Sequence, residues 1–323
     1  MRNSIKFFLV FFLYTLYFIL YTGPINAQQL SLSLSPTLTE LAIKPGQSTV
    51  IKYRLTNIGD PTIMKIRLLP FEPKDNQGNI NIKDSLQSPI RFELEKETIK
   101  LEEPFFLKNS DIQEFSLNVA VPEDTPTKDY YFTLLAEAQP PPTQEGVVNV
   151  RAKVSVGSNL LISVTKKGEV EIKPKISLFE VIPKNKISLL GFRINLFASF
   201  AKIPVVLVVE NKGKNLIKPQ GEIILRGPFW QRKRYEIKPQ TILAQSQKQL
   251  TVESSKLSPK PYTLTLPGFL LGGYKLSASI SFGPETPILY ATTSFLVLPI
   301  ELTILISIGI IMVIFLLNKF RKN

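Results

Sequence analysis

Between Gln28 and Leu298 apolar and polar residues exchange places at every second position, in short runs separated by turn residues, and no stretch sustains a helical period. Thr49, Ile51, Tyr53 and Leu55 alternate with Val50, Lys52, Arg54 and Thr56. Phe115, Leu117, Val119 and Val121 alternate with Glu114, Ser116, Asn118 and Ala120, and Tyr274, Leu276, Ala278 and Ile280 alternate with Lys275, Ser277, Ser279 and Ser281. A period of two puts one set inside and the other outside, the mark of antiparallel sheets with one buried face. Pro45-Gly46, Asn57-Ile58-Gly59-Asp60, Asn76-Gln77-Gly78, Asn211-Lys212-Gly213 and Gly272-Gly273 supply the turn dihedrals between them.

The pattern occurs twice. Tyr53-Arg54-Leu55-Thr56-Asn57-Ile58-Gly59 resembles Leu207-Val208-Val209-Glu210-Asn211-Lys212-Gly213. Each is followed much later by a strand pair able to close a sandwich: Phe115 to Val121 with Asp129 to Glu137, and Leu250 to Glu253 with Tyr274 to Phe282. The expected fold is all-β, two tandem immunoglobulin-like sandwiches over residues 28–165 and 166–297, with a boundary where Lys166-Lys167-Gly168 breaks the alternation. One large β-domain is the alternative.

Both ends carry apolar runs. Arg2 and Lys6 precede Phe7 to Tyr21, and Pro24, Ile25 and Ala27 follow; this reads as a signal peptide over 1–27 cleaved after Ala27, or as an uncleaved anchor. Leu302 to Leu317 is uncharged and becomes long enough to span a bilayer if Phe295 to Ile300 joins it, which gives an expected transmembrane helix over 298–318. The tail 319–323 holds Lys319, Arg321 and Lys322, which the positive-inside rule keeps in the cytoplasm. The expected location is therefore a cell membrane crossed once, with the sandwiches outside.

Composition narrows the chemistry. The 323 residues include no cysteine and no histidine, which removes disulfides, thiolate nucleophiles, the commonest general base and the commonest metal ligand. No catalytic residue, metal ligand or cofactor is expected. Glu93, Glu95 and Glu97 share one face of a strand, with Glu102-Glu103 beyond, where they do not converge across a cleft as glycoside hydrolysis requires. Glu123, Asp124 and Asp129 offer oxygen ligands suited to calcium, although such a loop also simply turns a hairpin.

Charge is divided unevenly. Residues 28–157 hold 14 Lys and Arg against 17 Asp and Glu, whereas 158–298 hold 20 against 8. The second half would be drawn to anionic lipid headgroups or anionic wall polymers, or is simply a solvated basic surface. Phe229-Trp230-Gln231-Arg232-Lys233-Arg234-Tyr235 sets the only tryptophan beside three cations. Trp230, Arg232, Lys233 and Arg234 are candidate partner-binding residues; the other reading makes Trp230 a core anchor and the cations guards of a sheet edge.

The layout of signal, two sandwiches, helix and basic tail resembles that of the WxL-interacting cell-surface proteins of Gram-positive bacteria. Leu41-Ala42-Ile43-Lys44-Pro45-Gly46-Gln47 leading into Tyr53-Arg54-Leu55-Thr56-Asn57 looks like the opening of that family's first domain. Asn76-Gln77-Gly78-Asn79-Ile80 looks like its later loop, and Leu270-Leu271-Gly272-Gly273-Tyr274-Lys275-Leu276 is similar to its closing strand. The glycine-rich strand expected near Tyr131 to Glu137 is absent. The two targeting segments, the paired domains and the missing catalytic residues point to a noncatalytic surface protein that binds another surface protein or a wall polymer. The alternative is an accessory subunit of a membrane transport or secretion complex, touching membrane lipid. Neither nucleic acid nor a small-molecule substrate is expected.

Overall fold

The computed structural model describes residues 11–12, 14–15, 31–95, 99–139, 154–166, 168, 170–183, 185–189, 192–253, 261–283, 286–299, 303 and 306–314. The first ten strands are β1 (Leu32–Ser35), β2 (Leu38–Ile43), β3 (Ser48–Asn57), β4 (Thr62–Pro73), β5 (Ile80–Ile82), β6 (Arg91–Leu94), β7 (Pro104–Leu107), β8 (Ile112–Ala120), β9 (Asp129–Gln139) and β10 (Ser155–Val164). They form two sheets, ordered β1-β3-β8-β6 and β2-β10-β9-β4-β5, with β7 also on β4. The next ten are β11 (Pro174–Val181), β12 (Asn185–Leu189), β13 (Phe192–Ala198), β14 (Ile203–Asn211), β15 (Gln220–Arg226), β16 (Arg232–Glu236), β17 (Ser246–Gln249), β18 (Leu264–Leu266), β19 (Gly272–Ser281) and β20 (Leu289–Leu298). Their sheets run β11-β14-β17, with β18 on β14, and β12-β13-β20-β19-β15-β16.

The two pairs of sheets repeat one plan. In each, an early strand lies parallel to the last one, β2 against β10 and β13 against β20, while every other ladder is antiparallel. Each pair closes over its own core. Ile51, Tyr53 and Leu55 of β3 meet Phe115, Leu117 and Val119 of β8 and Phe132 and Leu134 of β9 in the first. Val205, Leu207 and Val209 of β14 meet Tyr274, Leu276, Ala278 and Ile280 of β19 in the second. These are the inward sets of the period-two pattern, and each side chain fully buried contributes about 1.5–3 kcal/mol of transfer free energy.

The sequence repeat has a structural cause. Asn57 and Asn211 end β3 and β14 and are fully buried. The Asn57 side-chain amide donates to the carbonyls of Asp60 and Lys108, both at 2.9 Å, and its oxygen accepts from the Gly59 N–H at 3.0 Å. Asn211 donates to the carbonyls of Asn215 (2.8 Å) and Leu243 (3.2 Å) and accepts from the Gly213 N–H at 3.0 Å. One side chain thus closes its own turn and clasps the loop that leads into the neighbouring strand, β8 or β17. Gly213 has no room for a side chain, because a Cβ there would stand 2.3 Å from the Glu171 carbonyl oxygen.

Two expectations need correction. The strand expected at Leu250 to Glu253 lies upstream, as Ser246–Gln249 on β14; beyond it the Leu250 N–H still donates to the Leu207 carbonyl at 2.9 Å, and Val252 bridges to Ile237. The membrane-spanning helix over 298–318 is also overturned. Leu298 is the last residue of β20 and pairs with Ala198, while Phe295 and Val297 are buried in the second core. Thr303 and Ile306–Ile314 are helical. Among the described residues no helix is long and apolar enough to cross a membrane. The single-pass location drawn from that helix therefore does not stand. Ala27, Lys319, Arg321 and Lys322 lie outside the described residues.

Replacing Asn57 or Asn211 by alanine takes a partner from two carbonyls and from one buried N–H, and an unsatisfied buried group costs about 1–3 kcal/mol, so each variant is expected to lose about 2–3 kcal/mol. Urea denaturation measures it, and exposed Lys52→Ala should stay within about 0.5 kcal/mol of the parent.

Candidate functional site

The sandwiches meet at a buried carboxylate. Asp129, the first residue of β9, is 8% exposed. One of its oxygens accepts from the Asn215 side-chain amide at 2.7 Å. The other accepts from the Leu216 N–H at 2.5 Å and the Tyr131 hydroxyl at 2.9 Å. Its own N–H donates to the Lys214 carbonyl at 3.1 Å. Asn215 and Leu216 belong to the second sandwich, so most of the compensation for this buried charge comes from across the junction. Tyr131 crosses it too, its hydroxyl accepting from the Ala244 N–H at 2.8 Å. Burial, and then the charge of Asp129, push the Tyr131 phenol well above its ordinary value. At the rim Lys218 forms an ion pair with Glu40, and the Gln249 N–H donates to the Asn76 carbonyl at 2.7 Å.

Beside this network lies a cleft of about 900 Å³ with walls from both sandwiches. Glu72, Glu123 and Asp124 bring negative charge to its lining, and Lys128, Lys166 and Lys214 bring positive charge. Lys214 is also bound to Glu171 at 2.9 Å; hydrogen bonds from Lys173 and Lys214 lower that carboxyl to about 2. Both oxygens of Asp129 are committed to protein donors, which deprives the calcium reading of its third ligand, and no group of three metal-capable side chains occurs among the described residues. Glu93 and Glu95 are exposed, Glu97 lies outside the described residues, and Glu102 is paired with Lys65 and Arg67.

The aromatic and basic segment lies elsewhere, at the hairpin joining β15 to β16. The Gln231 N–H donates to the Pro228 carbonyl at 3.2 Å, and the two residues between, Phe229 (φ 56°) and Trp230 (φ 63°), both have left-handed backbones. That sign pattern belongs to the type I′ turn, which glycine and asparagine favour; other residues pay about 1–2 kcal/mol each. Trp230 is completely exposed and is no core anchor. Its neighbours divide. Arg232 sits opposite Arg226, itself opposite Lys275, a row of three cations across adjacent strands. Arg234, two residues along the same face, is paired with Glu222, and Lys233 faces the other way beside Leu225 on the edge strand. The sequence reading missed Arg226 and Lys275, which only the strand register brings to Arg232.

No family model matches the sequence, and no curated protein sequence does so either. Solved structures similar to the chain include the class 5 fimbriae chaperone CfaA, 11% identical with a TM-score of 0.39 over 83% of this chain and 100% of that one. The E. coli chaperone DraB is 15% identical with a TM-score of 0.35 over 82% and 99%. The Pseudomonas aeruginosa CupB2 chaperone is 11% identical with a TM-score of 0.31 over 81% and 99%. Likeness at this level bears on no residue and no ligand. The fold stands on the sheets themselves, as immunoglobulin-like sandwiches.

Asp129→Ala leaves the donors of Asn215, Leu216 and Tyr131 unpaired and is expected to cost about 3 kcal/mol, with faster proteolysis at the junction. A raised tyrosine pKa means stability that is complete below the unfolded value of 10.0 and is lost as pH climbs above it. The urea midpoint should therefore fall above pH 10, and Tyr131→Phe should lose part of that fall.

Proposed function

We propose that the chain is a noncatalytic protein-binding module that receives a segment of another surface protein in the cleft between its sandwiches. The observation that carries this reading is the shared wall: the cleft exists only while Asp129 holds the domains together, so the network that fixes the domains also shapes the site. A pre-set cleft saves a partner the cost of ordering it, and preorganisation of this kind raises affinity without new contacts. A lining that carries both signs suits a polar segment that also carries both. The absence of histidine and cysteine from the sequence fits binding better than turnover.

A photo-crosslinking residue at Glu123 or at Gln245, on opposite walls, is expected to capture the same partner in cells, while one at Lys52 on the outer face of β3 captures none. Glu123→Lys should reduce the yield severalfold, more at low salt than at high. Capture from position 52 with none from the cleft would contradict the proposal, and capture of glycan alone would assign the cleft to a wall polymer.

A further inference from the structure

A separate surface lies at the far end of the second sandwich and rests on none of the cleft geometry. Three loops and one strand end converge there: 199–202 after β13, 227–231 between β15 and β16, 267–271 between β18 and β19, and the end of β20 at Leu298. Hydrogen bonds tie them together. The Leu270 N–H donates to the Ser199 carbonyl at 3.0 Å, the Leu271 N–H to the Tyr274 hydroxyl at 3.3 Å, and that hydroxyl to the Gln231 side-chain oxygen at 2.9 Å. Gly227 is the packing contact that lets the hairpin approach, since a Cβ there would stand 2.2 Å from the Tyr274 ring. Beneath the loops Tyr274 stacks on Phe295 at 5.4 Å.

This rigid base presents aromatic side chains to the outside. Trp230 is 100% exposed, Phe229 82%, Phe200 71% and Phe269 55%, with Leu271 and Leu298 partly exposed beside them. The Phe200 and Phe269 rings lie 5.2 Å apart, so two separate loops build one apolar patch. Folding gains nothing from Phe229 and Trp230, whose left-handed backbones are strained and whose rings touch no core; a ligand is the natural beneficiary. Around the rings stand Lys202, Arg226, Arg232 and Lys275, all exposed and none with an acidic partner among the described residues. Residues 199–202, 226–232, 267–275 and 295–299 contain no Asp or Glu. Three of these cations face one another in register, an arrangement that is repulsive until an anion sits over it.

Exposed aromatic rings ringed by cations match one partner above others: a bilayer with anionic headgroups, where amphipathic rings settle at headgroup depth and cations hold the phosphates. We propose that this end of the second sandwich docks on an anionic lipid surface, with Phe229 and Trp230 entering the headgroup layer and Arg226, Arg232 and Lys275 meeting phosphate. The contact is made by loops and needs no spanning segment. It also gives the excess positive charge of the second half a place to act.

Trp230 is the sole tryptophan, so its fluorescence reports this surface and no other part of the chain. With the full chain mixed with vesicles of phosphatidylglycerol and phosphatidylcholine, its emission should shift to the blue and be quenched by brominated acyl chains. Phosphatidylcholine alone should produce much less of either effect. Arg226→Glu with Lys275→Glu, both exposed and harmless to folding, should weaken the shift about tenfold in lipid concentration, and raised salt should do the same. A chain that sediments with vesicles while Trp230 emission stays unchanged overturns the proposal, since another segment then makes the contact. So does a chain that does not sediment, and so does an equal shift on both kinds of vesicle.

Discussion

One buried carboxylate governs how the two halves of this protein relate. Asp129 starts β9 in the first sandwich, and its charge is tolerable inside only because donors surround it, chiefly the Asn215 amide and the Leu216 N–H of the second. Turning one sandwich against the other would take the Asn215 and Leu216 donors away from that carboxylate. Domains joined by short connectors are ordinarily free to move. Here the polar network across the junction works against that freedom.

Within each sandwich the same device recurs at smaller scale. Asn57 and Asn211 each close a turn and hold a neighbouring loop by two donated hydrogen bonds and one accepted. The repeated plan extends to the parallel pairing of an early strand with the last, β2 with β10 and β13 with β20. On this duplicated frame the halves differ in what their loops expose. The first sandwich supplies Glu72, Glu123 and Asp124 to the cleft, while the second gives a basic end tipped by aromatic rings.

Much of the frame was legible in the sequence, because a period of two with one apolar set has one good solution. The alternations at Thr49–Leu55, Phe115–Val121 and Tyr274–Ile280 became β3, β8 and β19 with the expected sides inward. The repeat at Asn57 and Asn211 was visible as letters, though its clasping role was not. Asn185–Leu189 and Phe192–Ala198 escaped notice although Ile187-Ser188-Leu189 and Phe192-Arg193-Ile194-Asn195-Leu196 do alternate, in runs too short to stand out between Lys186 and Lys202. The helix expected from Leu298 took in a strand residue, because Leu298 still pairs with Ala198 as the last residue of β20. The junction was out of reach altogether: no local pattern joins Asp129 to Leu216, 87 residues away. Arg226 and Lys275 likewise join Arg232 only through strand register, which sequence spacing does not encode.

The central claim is that the sandwiches form one rigid body, and a distance measurement across the junction tests it most directly. The chain has no native cysteine, so cysteines placed at Lys52 and Lys233, exposed on different sandwiches, take spin labels without competition. Double electron–electron resonance on that pair should give a single narrow distance that broadens when Asp129→Ala is added. A broad or two-peaked distribution in the parent chain would mean that the domains move independently, and the account of a pre-set cleft would fall with it.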